Sequence, residues 1–403
     1  MNVQVLVPTI EETTVDALVD TLATLEVQPP FSESRIDCCQ QLSRALFSDA
    51  EARAFPELQS LAFWLRKAEI LLLRDEFSSR TRRGVLRAPR GTVFHIPPGN
   101  VDTMFVYSWA LALLAGNRNV VRISSRNSPQ SLILCRLLRG VVGDRNLGQF
   151  FVQYGHDPAV TKTLSDCCDA RVIWGGDRTI RTIRDFPLPV HAKEITFPDR
   201  WSLSAISAPV WLSASENQRE DVSGQFFNDT FWFDQMACSS PRMLVWCGVE
   251  SECRNASGDF LERLQQEIDR RGYRIEPSVR MQKLLFAAGA VIDQPVLSYV
   301  TAGPQLTVLE LGSLDTLGPE HCGGGLLFQF HTASLIDIAP HIQRRHQTLT
   351  YFGFEPAELL GFVQQLQGRG IDRVVPIGQA LRFSTVWDGY DLLDELTRAV
   401  VIL

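Results

Sequence analysis

Two stretches of the chain alternate short apolar runs with longer amphipathic ones, and each alternation predicts an α/β architecture. The first runs from Gly91 through TVFHI, an apolar helix from Val101 to Ala115, NVVRIS, a helix from Pro129 to Val141, QFFVQY, a helix from Pro158 to Cys167, and ARVIWGG. Short strands separated by helices are the βαβ signature of a parallel, doubly wound sheet. Asn100 stands where an N-cap belongs, and Gly116 falls just past the last apolar turn, where a C′ glycine belongs. The second stretch has a helix near Glu216 to Met236, MLVWC, a helix from Gly258 to Arg271 and LLFQFH. It continues through a helix from Ser334 to Arg344, TLTYFGF, a helix from Pro356 to Gln367, and RVVPIG. The joint falls between Glu194 and Pro209, where FPDRW and SAPV carry turn residues. The first 80 residues read as helices covering a sheet edge, including one from Glu57 to Asp75 with Leu58, Leu61, Leu65 and Leu71 to Leu73 on one stripe.

Composition narrows the class. The chain has 403 residues, 45% hydrophobic and 21% charged, with 27 Gly and 21 Pro, the balance of a globular protein of two or three domains. Its 39 Lys and Arg against 46 Asp and Glu leave a net charge of −7, which repels a phosphate backbone and argues against nucleic acid as a partner. The most apolar window, Met104 to Ala115, falls short of the roughly 18 residues a membrane span needs. The opening MNVQVLVPTIEETTVD lacks a basic segment followed by a long apolar run, so a cytoplasmic protein is expected. Nine cysteines include no C-x-x-C pair, and seven histidines are scattered, so neither a disulfide framework nor a metal cofactor is expected.

Two junctions draw chemical interest. In FFNDTFWFDQMACSSPRMLVW, Cys238 follows a helical stretch and precedes a Ser-Ser-Pro turn into a strand, where substrate can reach a thiol. The other cysteines read as small buried hydrophobes. In HIPPGN, two prolines and a glycine present Asn100 at a helix start. Its amide serves either as a helix cap or as a donor to a developing oxyanion.

The ordered set GTVFHIPPGN, GNRNVVRISSRNSP, ARVIWGGDRTI, KEITFPDRWS, FDQMACSSPR and GIDRVVPIGQALRFSTVWDG resembles the acyl-CoA reductase family of the bacterial luminescence fatty acid reductase type. This family is a branch of the aldehyde dehydrogenase superfamily, and the resemblance runs from about Gly91 to the C-terminus. It implies an aldehyde dehydrogenase-like fold of two doubly wound α/β domains with the active site between them. Residues 1–200 would hold N-terminal helices and the NAD(P)-binding domain, 201–375 the catalytic cysteine domain, and 376–403 a C-terminal segment. The resemblance further implies that a Cys238 thiolate attacks an acyl thioester and that hydride reduces the acyl-enzyme to an aldehyde. Asn100 and the Cys238 backbone N–H would hold the oxyanion. Glu194, in KEITF, matches the superfamily's general base, a role that requires burial to raise its pKa; otherwise it is an ordinary surface carboxylate.

For the cofactor, the resemblance points to Pro97, Pro98, Arg122, Ser125, Gly175, Gly176 and Asp177. Arg122 with Ser125 three positions later, in place of an acidic residue, favours a 2′-phosphate and hence NADPH, with Arg126 as reinforcement; alternatively Arg122 only caps the sheet edge. Gly175 and Gly176 would let the chain approach the cofactor closely. The basic run Arg80, Arg82, Arg83, Arg87 and Arg90 is either a landing site for coenzyme A or an acidic carrier protein, or a salt-bridged surface. The expected activity is NADPH-dependent reduction of an acyl-CoA or acyl-carrier protein thioester to the aldehyde. The alternatives are aldehyde oxidation or acylating aldehyde dehydrogenation, a non-catalytic acyl-binding subunit, and a thioesterase or acyltransferase using Cys238 alone. A homo-oligomer or an acyl-transferring partner enzyme is compatible with each.

Overall fold

The computed structural model describes every residue except 126, 127, 146, 316, 317 and 319. The chain divides into two units, residues 1–199 joined by 383–403, and residues 200–382.

The first unit opens on β1 (Asn2–Val7) and β2 (Glu11–Thr14), where a helical start was expected. Val3, Val5 and Val7 are buried and alternate with more exposed residues, the period of a strand with one face inward. Four helices follow: α1 (Val15–Thr24), α2 (Glu33–Ser48), α3 (Pro56–Trp64) and α4 (Lys67–Arg80). The single helix expected from Glu57 to Asp75 is therefore two, because Arg66 is extended at φ −62° and ψ 145°. Then come β3 (Val85–Pro89), β4 (Thr92–Ile96), α5 (Met104–Leu114), β5 (Arg118–Arg122), α6 (Pro129–Val142) and β6 (Gln149–Gln153). The series ends with α7 (Pro158–Asp166), β7 (Ala170–Trp174), α8 (Asp177–Arg184) and β8 (Lys193–Phe197).

The first sheet has the order β2-β1-β6-β5-β4-β7-β8. Strands β4 to β8 are parallel and β1 is antiparallel to β6, so the first residues extend the sheet. Every residue of α5 is buried, which accounts for a helix that is apolar all round. It ends at Gly116, whose φ of +95° and a notional Cβ only 2.1 Å from the Gln28 carbonyl leave room for glycine alone.

The second unit contains β9 (Trp201–Ser207), α9 (Ala208–Ser213), α10 (Glu216–Phe231), β10 (Pro241–Cys247), α11 (Glu250–Arg270) and α12 (Pro277–Asp293). After these come β11 (Val296–Ala302), β12 (Leu306–Leu311), β13 (Leu326–Thr332), β14 (His346–Phe352), α13 (Pro356–Gln365) and β15 (Arg373–Pro376). The sheet order is β11-β12-β13-β10-β9-β14-β15, parallel except for β11 at one edge. One face buries Leu203, Val245, Leu309 and Leu349, and the other buries Ile206, Leu244 and Trp246 under Trp211 and Phe260. A sheet covered on both faces explains the unbroken apolar run MLVWC. The helix expected from Ser334 to Arg344 is a 3₁₀ segment, Leu335–His341, containing Pro340.

The chain closes with β16 (Val386–Trp387), β17 (Tyr390–Asp391), α14 (Leu392–Glu395) and β18 (Thr397–Val401). Strand β18 pairs antiparallel with β3, so residues 383–403 belong to the first unit while 376–382 stay with the second. Among the described residues, no helix is long and apolar enough to cross a membrane.

Candidate active site

In the second unit, Cys238 occupies the turn between α10 and β10. The helix expected to reach Met236 stops at Phe231, because Asp234 and Gln235 take the left-handed conformation at φ +51° and +63°. Gln235 is buried: its amide nitrogen donates to the carbonyls of Pro241 (2.9 Å) and Leu326 (2.8 Å), and its oxygen accepts from the Gly325 N–H (3.0 Å). Ser202 Oγ donates to the Cys238 carbonyl at 2.7 Å, and Ser240 Oγ to the Asp229 carbonyl at 2.6 Å. The Asp229 carboxylate accepts from the N–H groups of Gly378 (2.6 Å) and Ala380 (3.1 Å). Burial raises the Asp229 pKa to about 7 against the opposing pull of those hydrogen bonds.

This bracing leaves the thiol outward. Cys238 is the one exposed cysteine among the described residues. Burial pushes the thiols of Cys38 and Cys168 up to about 12 and those of Cys135, Cys167, Cys253 and Cys322 up to about 11; Cys39 and Cys247 are likewise raised. A thiol that resists ionisation is a poor nucleophile, so burial disfavours the other eight cysteines, and accessibility singles out Cys238.

In the first unit, three loops leave the carboxyl ends of adjacent strands β5, β4 and β7, the edge at which open parallel sheets bind ligands. They carry Pro97, Pro98, Gly99 and Asn100 after β4, Ser124 and Ser125 after β5, and Gly175 and Gly176 after β7. The first two abut, since a Cβ on Gly99 would lie 3.4 Å from Ser124 Oγ. His95, near the end of β4, is fully buried between Ser108 Oγ (2.8 Å) and Asn119 Oδ1 (3.0 Å). Its pKa is depressed to about 4 by desolvation, which keeps the ring neutral as a strut between β4, α5 and β5. Asn100 is exposed and precedes α5 by four positions; Thr103 is the N-cap, without a side-chain cap bond. The helix-cap expectation for Asn100 is therefore corrected.

Arg122 ends β5 with its guanidinium 4.7 Å above the Tyr154 ring and Nη2 donating to the Gly155 carbonyl at 3.2 Å. Among the described residues it has no carboxylate partner, so its charge is available to an anion. Ser125 is exposed; Arg126 lies outside the described residues. Cβ atoms on Gly175 and Gly176 would meet the Thr179 side chain at 3.2 Å and Asp199 Oδ2 at 2.9 Å. Asp177 opens α8, and its N–H donates to the Asp199 carboxylate at 3.2 Å. An anion at that helix start would meet two carboxylates, whereas the β5 side of this edge offers the Arg122 cation.

Glu194 stands apart. It is the second residue of β8, level with Arg171, and thus roughly 13 Å down the sheet from Gly175. Arg171 grips Oε2 at 2.6 Å and Arg184 grips Oε1 at 2.7 Å. Desolvation raises its pKa, but the two guanidiniums together outweigh it and the net shift is downward. The raised pKa that a Glu194 base requires is overturned. The basic run is also largely absorbed: Arg80 pairs with Asp391 and Arg87 with Asp394, while Arg90 donates to the Glu395 carbonyl.

The fold is that of the aldehyde dehydrogenases. A NAD-dependent benzaldehyde dehydrogenase from Corynebacterium glutamicum matches at a TM-score of 0.66, 14% identity, over 97% of this chain and 91% of that one. Glyceraldehyde-3-phosphate dehydrogenase GapN from Methanocaldococcus jannaschii, complexed with NADP, matches at 0.66, 13% identity, over 96% and 93%. The profile of the acyl-CoA reductase (LuxC) family matches residues 59–283, and the chain belongs to that family. The match begins within α3, ahead of the motifs that carry the resemblance. The long-chain acyl-protein thioester reductase of Aliivibrio fischeri is 24% identical over 346 residues, covering 81% of this chain and 67% of the relative. That of Photorhabdus laumondii is 22% identical over 360 residues, 82% of this chain and 67% of the relative. The match to long-chain acyl-protein thioester reductase 2 of Photobacterium leiognathi, 24% identical over 200 residues, spans only 39% of that relative.

Proposed function

We propose that the chain reduces acyl thioesters, carried on coenzyme A or on a carrier protein, to free aldehydes through an acyl-Cys238 intermediate, with NADPH as reductant. The observation that carries this reading is the exposed thiol of Cys238 on a turn fixed by buried hydrogen bonds, in a member of the acyl-CoA reductase family.

Cys238 Sγ attacks the thioester carbonyl, a new C–S bond forms, and the carrier thiolate leaves with the proton that Cys238 gives up. Because one thiol replaces another, protons balance without a dedicated base. The Asn100 amide and the Cys238 backbone N–H stabilise the oxyanion of the tetrahedral centre. The nicotinamide cofactor, when bound, supplies the hydride that takes the acyl group to the aldehyde level. Arg122 suits a 2′-phosphate, having no carboxylate partner among the described residues, while Ser125 places no negative charge beside it. Pro97 and Pro98 fix the loop that presents Asn100. The commitment of Glu194 to Arg171 and Arg184 removes the candidate base that hydrolysis to a free acid would use, which favours thioester chemistry over aldehyde oxidation to the acid.

The test is a panel of acyl-CoA and acyl-carrier protein substrates with NADPH or NADH, following cofactor oxidation and aldehyde together. One aldehyde per NADPH, with weaker use of NADH, is expected. Release of free acid without cofactor oxidation would replace the reading with a thioesterase, and preference for NADH would overturn the role of Arg122.

A further inference from the structure

At the far end of the second sheet from Cys238, three potential metal ligands converge. Cys238 precedes β10, whereas Glu250 opens α11 just after it; seven strand residues place the two ends about 20 Å apart. Glu310 lies near the end of β12 and His331 near the end of β13, both at this carboxyl edge. One ligand atom from each of the three residues falls within 4.8 Å of the others.

His331 supplies the decisive observation. Its side chain is only 8% exposed, and Nδ1 is buried without a hydrogen-bond partner. That nitrogen faces Glu250 Oε1 and Glu310 Oε1, each at 3.8 Å. These separations are too long for a hydrogen bond and a few tenths of an ångström wider than the ~3.3 Å between two ligands on one tetrahedral zinc-like ion. Small side-chain rotations would close the difference.

The surroundings are those of a metal-ligating histidine. The Gln329 side-chain nitrogen sits 3.1 Å from His331 Nε2 while its oxygen is buried without a hydrogen-bond partner; exchanging the two amide atoms lets the oxygen accept Nε2–H and leaves the Nδ1 lone pair to face the carboxylates. Ser298 Oγ donates to Glu310 Oε2 at 2.8 Å, steadying that carboxylate while Oε1 remains directed at His331. Glu250, 59% exposed, is paired with the exposed Arg254, so its carboxylate can exchange that partner for an ion. A groove of about 750 Å³ beside Glu310, Gln329 and His331 gives an entry path.

We propose that Glu250, Glu310 and His331 form a divalent-cation site, structural in role and separate from the chemistry at Cys238. One imidazole and two carboxylates suit a first-row divalent ion with its remaining positions filled by water. Such an ion would tie the start of α11 to β12 and β13.

The probe is Mn²⁺, whose preference for oxygen and imidazole keeps the nine cysteines out of the measurement. Chelator-treated full-length protein is titrated while the free-ion paramagnetic resonance signal is followed, with thermal melts alongside. One Mn²⁺ per chain and a melting temperature raised by the ion are expected. His331→Gln and Glu310→Gln should each weaken binding at least about tenfold and abolish the shift. Glu250→Gln, on the exposed surface, should also weaken binding and covers the case in which the buried variants fail to fold. Absence of saturable uptake, or uptake unchanged in Glu310→Gln and Glu250→Gln, would overturn the site.

Discussion

At the Cys238 turn, the protein spends its hydrogen bonds on the backbone. Gln235 and Ser202 pin main-chain groups within or beside the turn and leave the thiol outward. At Glu194 the arrangement is reversed, for the carboxylate itself is held by two arginines, one of them fully buried. The contrast separates two meanings of an interesting residue. A reactive group needs neighbours that fix its position and leave it accessible, whereas a structural ion is enclosed by its neighbours.

The largest effect expected is at the turn: Cys238→Ala should abolish aldehyde formation with little change in melting temperature, since an exposed thiol contributes little packing. Persistence of activity would move the chemistry elsewhere. Asn100→Ala should lower turnover by roughly 10²-fold, with a smaller change in substrate binding, if the amide acts in the transition state. A loss confined to substrate binding would reassign it. Gln235→Leu strands three buried backbone groups and should cost about 3 kcal/mol of stability, read by denaturant unfolding. An unchanged midpoint would mean that the turn is held by other contacts.

Glu194→Gln sharpens the comparison from the other side. Turnover of the folded variant should stay within about threefold, while stability falls by about 2 kcal/mol because Arg171 loses its counter-charge. A base would instead show a loss of roughly 10²-fold or more. The smallest effect is a pH dependence. His95 and His346 have pKa values depressed to about 4 and His321 to about 3, all by burial. Between about pH 6.5 and 4 the unfolded chain takes up protons there that the folded chain refuses. Asp229, raised to about 7, acts oppositely, since the folded chain protonates it first. Three groups outweigh one, so melting temperature should fall as pH drops from about 6.5 toward 4.

The alternation of strand and helix was readable because buried parallel strands demand unbroken apolar runs. Val3, Val5 and Val7 carried an equally plain period of two at the N-terminus, but it was subsumed into the surrounding helical pattern. Helix α12 gave no such signal: it buries Lys283 and Ala287 while Met281, Leu284 and Leu285 are exposed, inverting the usual stripe. At the site, Cys238 was legible from its local turn. The pairing of Glu194 was not, because Arg171 and Arg184 lie 23 and 10 residues away and meet it only across the fold. Gln235 was invisible for the same reason, its partner Leu326 being 91 residues distant.

The most direct test of the central claim is intact-mass analysis after incubating the protein with acyl-CoA in the absence of cofactor. The account predicts one acyl group per chain, located on Cys238 by peptide mapping, absent in Cys238→Ala, and discharged as aldehyde when NADPH is added. An adduct on another cysteine, or aldehyde formation with Cys238 unmodified throughout, would contradict it.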